Sequence, residues 1–176
     1  MNIEVEIRTF ITKEKYEELL KFFKKEGEFL YKDDQESHYF DCEEDLRMQK
    51  NNFGAKIWMK KGVILDEQRE EFEVNIKKED FETTGKIFSV LGYNVQIKWF
   101  RKRNAFKWQG LEVMVDYSKG FGYVLELEKM SDEKNKEENL RLLKQKMKEL
   151  DIEITPREEF QKHYDYYKEN WRKLTS

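Results

Sequence analysis

The sequence predicts an α+β fold built around an antiparallel sheet, and three observations support this prediction. Several segments alternate charged and apolar residues, as NIEVEIR does at residues 2–8, which is typical of strands with one face on the core. Later strand-like segments are joined by the turn dipeptides Gln109-Gly110 and Lys119-Gly120, and such short connections imply antiparallel pairing. Amphipathic helical segments stand between these groups of strands.

The first half of the chain reads as a strand, a helix and several more strands. In TKEKYEELLKFFKKEG, Thr12 is expected to cap a helix that ends at Gly27. EFLYKDDQESHYFDC predicts an extended segment or two short strands, and EEDLRMQKN predicts a brief helical turn. FGAKIWMKKG and EQREEFEVNI then predict a hairpin that turns around GVILD.

The second half begins with an amphipathic helix, EDFETTGKIFSVLGY, whose inward residues are expected to be Phe81, Ile87, Phe88 and Leu91. Three strands follow it, VQIKWFRKRNAFKW, LEVMVDYS and GYVLELEKM.

Two helices complete the chain, and the last should begin with a capping box at Thr155, Pro156 and Glu158. With no linker in view, we expect one domain over residues 1–176, with 131–176 as a C-terminal helical cover.

The amino-acid composition limits the kinds of partner and cellular compartment to expect. The 34 Lys+Arg and 37 Asp+Glu residues give a net charge of -3, which does not favour nucleic acid or membrane as a partner. The start of the chain lacks the apolar stretch of a signal peptide, and no run is long enough to span a membrane. The single cysteine, Cys42, is compatible with a reducing compartment. We therefore expect a cytoplasmic protein.

Charged residues recur at alternate positions in strand after strand. The residues on these faces, which include two tryptophans and a methionine, are Glu4, Glu6 and Arg8; Lys56, Trp58 and Lys60; Arg69, Glu71 and Glu73; Trp99, Arg101 and Arg103; Glu112, Met114 and Asp116; and Glu126 with Glu128. If the sheet closes into a barrel, these side chains line its interior while the apolar faces pack against the helices. The simpler alternative is an ordinary sheet whose outer face carries cross-strand ion pairs.

A charged interior requires a ligand or close pairing, because burying unpaired charges is costly. The basic residues suit the phosphates of a polyanion: Arg8, Lys56, Lys60, Arg101 and Arg103. The acidic residues suit a hard divalent cation: Glu4, Glu6, Glu126 and Glu128, with Glu71 and Glu73 as a second tier. A triphosphate held together with a metal ion would use both sets.

These segments resemble the CYTH superfamily of triphosphate tunnel metalloenzymes. EVEIR at residues 4–8 is similar to its Glu-x-Glu-x-Lys signature. HYFDCEEDLRMQKNNFGAKIWMK, REEFEV, FRKRNAF and VMVDYSKGFGYVLELE resemble its later strands in the same order.

The resemblance implies an eight-stranded closed antiparallel barrel that binds a triphosphate with Mg²⁺ or Mn²⁺. It makes Glu4, Glu6, Glu126 and Glu128 metal ligands, while Lys56, Lys60, Arg101 and Arg103 hold phosphates. Two departures stand out: Arg8 replaces the signature lysine, and Trp58 replaces a basic residue. An arginine keeps the positive charge but cannot transfer a proton at useful pH.

Two further residues are catalytic candidates together with Arg8. Tyr39 stands where some hydrolases of the family activate water, or else it is a structural aromatic. Asp116 could position a basic side chain or a metal-bound water, and a purely structural pairing is the alternative.

The expected function is metal-dependent hydrolysis of tripolyphosphate, thiamine triphosphate or ATP. A class IV adenylyl cyclase that makes cyclic AMP and pyrophosphate is one alternative. A non-catalytic binder of triphosphate or polyphosphate is another, and a homodimer is an open possibility.

Overall fold

The protein is described by a computed structural model over residues 3–60 and 71–176, with only the backbone described at residues 3, 4, 60 and 71. Its strands are β1 Ile3–Ile11, β2 Glu28–Phe40, β3 Asp45–Lys50, β4 Ala55–Lys60, β5 Glu71–Ile76, β6 Val95–Trp108, β7 Leu111–Ser118 and β8 Gly122–Ser131. Its α-helices are α1 Lys13–Glu26, α2 Phe81–Val90, α3 Lys136–Glu149 and α4 Arg157–Leu174. The predicted turn around GVILD lies outside the described residues.

The strands form one eight-stranded sheet in the order β1-β8-β7-β6-β2-β3-β4-β5. The α+β class and the eight antiparallel strands agree with the sequence, but the predicted closed barrel is wrong. Within the described residues, β1 and β5 are the two ends of this order, so the sheet is open. The alternation of polar and apolar residues shows only that a strand has one polar and one apolar face. Strands of this kind occur in open sheets as well as in closed barrels, so the pattern does not distinguish the two.

The chain divides into two compact units, and the first contains Met1–Lys32 and Lys102–Tyr167. Its core lies between the apolar face of the sheet and helices α1 and α3. Val5 and Ile7 of β1 are buried there with Leu127 of β8, against Leu143 and other residues of α3. Each such side chain contributes roughly 1.5–3 kcal/mol by burial.

Helix α1 begins and ends as the sequence predicts. The Thr12 side chain accepts a hydrogen bond from the Lys15 amide, and the Gly27 amide donates to the Phe23 carbonyl. A Cβ at Gly27 would lie 2.9 Å from the Phe23 oxygen and 3.1 Å from the Lys107 oxygen. Glycine is therefore required at this position by the close approach of the backbone.

The segment before α4 is tied to the core side of β1. Thr155, predicted as the N-cap of the last helix, uses its hydroxyl to accept from the Phe10 amide at 3.0 Å. It also lies 2.9 Å from the Thr9 hydroxyl, and Thr9 donates to the Glu153 carbonyl at 2.9 Å. Because Thr9 is fully buried, these bonds satisfy polar groups that have no access to water.

The second unit contains Asp33–Arg101 and Lys168–Ser176, with its own small core of Phe40, Met48, Ala55 and Phe81. Helix α2 contributes Phe81 and the partly buried Phe88. The inward placement predicted for Ile87 and Leu91 is wrong, since these side chains are 54% and 65% exposed. The helix has only ten residues, and its contact stripe runs from Phe81 to Phe88.

The helical turn predicted for EEDLRMQKN is also wrong, because Asp45–Lys50 forms strand β3. Leu, Arg, Met, Gln and Lys favour helices in isolation, but here pairing with β2 and β4 overrides that preference. The segment predicted as one or two strands is the single strand β2.

None of the helices in the described part of the chain is apolar over a length that would cross a membrane.

Candidate functional site

In the first unit, the pairing of β1 with β8 brings the predicted charged residues together. Glu6 lies opposite Glu128 in the register, and Arg8 lies opposite Glu126. Val5 and Ile7 face the helices, so the side chains of Glu6 and Arg8 stand on the other face of the sheet. Within this unit, the alternation noted in the sequence therefore separates an apolar face of β1 from a charged one.

Three carboxylates on this face form an acidic cluster, which we define as Glu6, Glu126 and Glu128. One oxygen from each lies within 4.8 Å of the others. Glu126 is only 8% exposed, while Glu6 is open to solvent. An all-carboxylate donor set of this kind fits a hard cation such as Mg²⁺ or Mn²⁺, so the cluster could hold a metal ion.

Arg8 is inserted into this acidic cluster. Its Nη2 donates to Oε1 of Glu6, and its Nε lies 3.3 Å from Oε2 of Glu126. The Arg8 side chain is 45% exposed. Arg8 thus contacts at least two of the three carboxylates of the cluster.

Arg103 is held much more firmly beside the same cluster. Its Nη2 lies 2.8 Å from Oδ2 of Asp116 and 3.4 Å from Oε1 of Glu126. The Nε group also donates to Oδ1 of Asp116 at 3.1 Å. Burial by itself lowers the pKa of the Arg103 guanidinium, but the charges of Asp116 and Glu126 outweigh burial and raise it. Arg103 is therefore a fixed cation.

The six charged side chains described above carry unequal numbers of positive and negative formal charges. Glu6, Glu126, Glu128 and Asp116 give four negative charges, and Arg8 and Arg103 give two positive ones. One divalent cation would balance the -2 that remains within this set of six side chains. A polyanion approaching the two arginines would need that cation, or another positive partner, to offset the carboxylates.

In the second unit, a row of paired residues carries other predicted site residues. Tyr39 pairs with Arg47, Arg47 with Trp58, and Trp58 with Glu73. Lys56 lies 2.7 Å from Oε2 of Glu73 and 5.0 Å from the centroid of the Trp58 ring. Glu73, predicted as a second-tier acidic residue, thus forms an ion pair with Lys56, which was predicted to bind phosphate.

Arg47 and Asp45 are the residues that sequence reasoning missed. Two nitrogens of Arg47 donate to the two oxygens of Asp45, each at 2.6 Å. The guanidinium lies 4.3 Å from the Tyr39 ring centroid and 5.6 Å from that of Trp58. The alternation of Asp45, Arg47 and Gln49 could have revealed this basic residue, but the segment was interpreted as a helical turn.

The other predicted site residues are less defined. Arg101, in β6, has a half-buried side chain. The side chains of Glu4, Lys60 and Glu71 lie outside the described residues, although the register pairs Lys60 with Glu71.

A separate ionic cluster, made of Glu36, His38, Lys50 and Glu82, links β2, β3 and α2. Glu36 lies 2.7 Å from Nε2 of His38 and 3.1 Å from Nζ of Lys50, and Lys50 also reaches Glu82 at 2.9 Å. The hydrogen bond with His38, followed by that from Lys50, lowers the pKa of Glu36 to about 2 despite partial burial.

This cluster predicts a pH dependence of stability. A carboxylate whose folded pKa lies below its ordinary 4.5 stabilises the fold above about pH 4.5, and that contribution is lost as pH falls towards 2. We expect Glu36→Gln to reduce the decline in unfolding free energy over this range, as measured by urea unfolding at several pH values. Glu17→Gln, on an exposed position of α1, should keep the parental decline. An unchanged profile in Glu36→Gln would contradict the prediction.

Comparisons with known proteins agree with the resemblance seen in the sequence. The CYTH domain family matches residues 2–160. Among curated proteins, none matches the chain significantly. The resemblance inferred from the motifs is therefore confirmed.

Solved structures share the fold. A conserved hypothetical protein from Pyrococcus furiosus is 28% identical with a TM-score of 0.70, covering 88% of this chain and 96% of its own. A Pyrococcus horikoshii OT3 protein is 23% identical with a TM-score of 0.70, covering 89% and 93%. A Hippeastrum protein, HpAC1, is a candidate adenylyl cyclase described as having a dominant triphosphatase activity. It is 18% identical with a TM-score of 0.67, covering 94% and 96%.

Proposed function

The chain belongs to the CYTH family, and on that premise we propose that it is a metal-dependent enzyme that binds and hydrolyses a triphosphate. The observation that carries the proposal is the acidic cluster of Glu6, Glu126 and Glu128 with two arginines against it. Carboxylates that fit a divalent cation and guanidinium groups that fit phosphate oxygens stand side by side in one unit.

The acidic cluster would hold Mg²⁺ or Mn²⁺, with Glu4 as a further candidate ligand. When bound, such an ion supplies positive charge that offsets the oxygens of the phosphate chain. Arg103 donates to phosphate oxygens from a position set by Asp116, which makes Asp116 a positioning residue. Arg8 donates from the solvent side. Both arginines stabilise negative charge and neither exchanges a proton at useful pH.

Roles for the remaining residues are proposals of the same kind. Lys56, Lys60 and Arg101 are candidates to hold phosphates. Arg47 joins them, because its bonds to Asp45 hold its guanidinium in one orientation.

Tyr39 is the candidate to orient the attacking water. Its ring lies under Arg47, and Glu71 and Glu73 remain second-tier acids. We further propose a cytoplasmic protein that acts on a small molecule, as a monomer or a homodimer.

Two alternative functions are each supported by a specific observation. The Hippeastrum neighbour's description as a candidate adenylyl cyclase makes conversion of ATP to cyclic AMP and pyrophosphate the second activity to test. The arginine at position 8 makes a non-catalytic binder the third, since proton transfer through this residue is lost.

One incubation panel separates these functions. The protein is incubated with tripolyphosphate, thiamine triphosphate or ATP, each with Mg²⁺ or Mn²⁺, and the products are quantified. We expect release of inorganic phosphate from at least one compound, and none in EDTA. Cyclic AMP with pyrophosphate would favour the cyclase, whereas binding without turnover would favour the binder. Absence of both binding and turnover would contradict all three.

A further inference from the structure

We infer that Arg8 acts as an internal competitor for the metal, so that the acidic cluster binds a divalent cation tightly only when a polyphosphate is bound as well. This inference rests on the proposed function. In this role, Arg8 weakens binding of the cation alone and so favours binding of the cation together with a polyphosphate.

Arg8 already occupies carboxylates that a cation would use. Its guanidinium contacts Glu6 and Glu126, two of the three carboxylates whose oxygens lie within 4.8 Å of one another. A cation that used the same oxygens would meet a positive charge in hydrogen-bond contact with them. Like charges at that distance repel, so Arg8 must move before the cation binds well.

Arg8 and Arg103 differ in how firmly they are held. The Arg103 side chain is 15% exposed and is held by the side chain of Asp116, which is 4% exposed. Moving Arg103 would break a buried ion pair, which is costly. The side chains of Arg8 and its partner Glu6 are 45% and 37% exposed, and an exposed ion pair of this kind is weak and easily exchanged. The second partner of Arg8, Glu126, keeps its contact with Arg103 when Arg8 moves. Arg8 is therefore the arginine that can leave the cluster.

A polyphosphate would give Arg8 an alternative set of hydrogen-bond acceptors. Phosphate oxygens accept charge-assisted hydrogen bonds from guanidinium as carboxylates do. Once Arg8 donates to a phosphate, Glu6 and Glu126 are released to the cation. By thermodynamic reciprocity, each ligand then raises the affinity for the other.

The test uses Mn²⁺ alone as the first probe, with affinity measured by titration calorimetry on the parent, Arg8→Gln and Arg141→Gln. Arg141 is an exposed residue of α3 that contacts Glu137. Its replacement by Gln also removes one positive charge from the protein, but at a position outside the acidic cluster. We expect Arg8→Gln to bind Mn²⁺ about tenfold more tightly than the parent, which corresponds to about 1.4 kcal/mol. Arg141→Gln should bind it as the parent does.

Tripolyphosphate is then added at saturation. It should raise the Mn²⁺ affinity of the parent by about tenfold and that of Arg8→Gln by much less. Arg8→Lys, which keeps the charge, should behave more like the parent, and thermal unfolding establishes that each variant is folded.

Equal or weaker Mn²⁺ binding by Arg8→Gln would overturn the competitor role. Because this comparison contains no phosphate, it judges Arg8 even if the proposed function fails. Failure of the proposed function would appear separately, as a parent protein that does not bind tripolyphosphate with either metal.

Discussion

Asp116→Ala is expected to lower the free energy of unfolding by about 3 kcal/mol, the lower end of the cost of breaking a buried ion pair. Asp116 is 3% exposed and accepts hydrogen bonds from two nitrogens of Arg103. Its removal leaves Arg103 with Glu126 as a more distant partner at 3.4 Å. Urea unfolding at pH 7 measures the change.

A double variant separates the missing pair from a general packing defect. Asp116→Ala combined with Arg103→Met removes both charges, and we expect it to recover much of the lost stability. Glu137→Ala, which breaks the exposed pair with Arg141, should cost less than about 0.5 kcal/mol. If Asp116→Ala were no more destabilising than this control, Asp116 would not be the residue that holds Arg103.

Glu6→Gln combined with Glu128→Gln is expected to weaken metal-dependent binding of tripolyphosphate by about 10–100-fold or more. Loss of residues that only hydrogen-bond to metal ligands already has an effect of this size. Glutamine keeps the size of the side chain but removes the charge that a hard cation requires. Glu126 is left intact because Arg8 and Arg103 both depend on it. Calorimetric titration with tripolyphosphate and Mg²⁺ measures the effect.

The matched control for this variant removes two charges from the helices that cover the other face of the first unit. Glu17→Gln with Glu137→Gln changes the net charge equally, at exposed positions of α1 and α3. It should bind as the parent does. Comparable losses in both double variants would mean that overall charge, and not the acidic cluster, governs binding.

Much of the fold could be predicted because local patterns and tertiary packing agree. The strand VQIKWFRKRNAFKW corresponds in full to β6, and the cap and stop residues of α1 fall where Thr12 and Gly27 indicate. The charged side of β1 was likewise visible, because Val5 and Ile7 belong to the core while Glu6 and Arg8 do not. In these segments, propensity, periodicity and burial favour the same structure.

The predictions that were wrong concern features that the local sequence pattern does not determine. Asp45–Lys50 has helix-favouring residues, and only its pairing with two neighbouring strands makes it β3. The edges of the sheet are set by which strands pair, a property that alternation does not record, and so an open sheet was mistaken for a barrel. The insertion of Arg8 between Glu6 and Glu126 depends on register and could not be read from the motif.

The central claim is that the acidic cluster and its arginines bind a triphosphate through a divalent cation. The most direct measurement is a calorimetric titration of the parent protein with tripolyphosphate, carried out once with saturating Mg²⁺ and once in EDTA. We predict clear binding with Mg²⁺ and at least about a tenfold loss of affinity in EDTA, because the three carboxylates of the acidic cluster then oppose the anion. Equal affinity in the two titrations, or no binding in either, would contradict the claim.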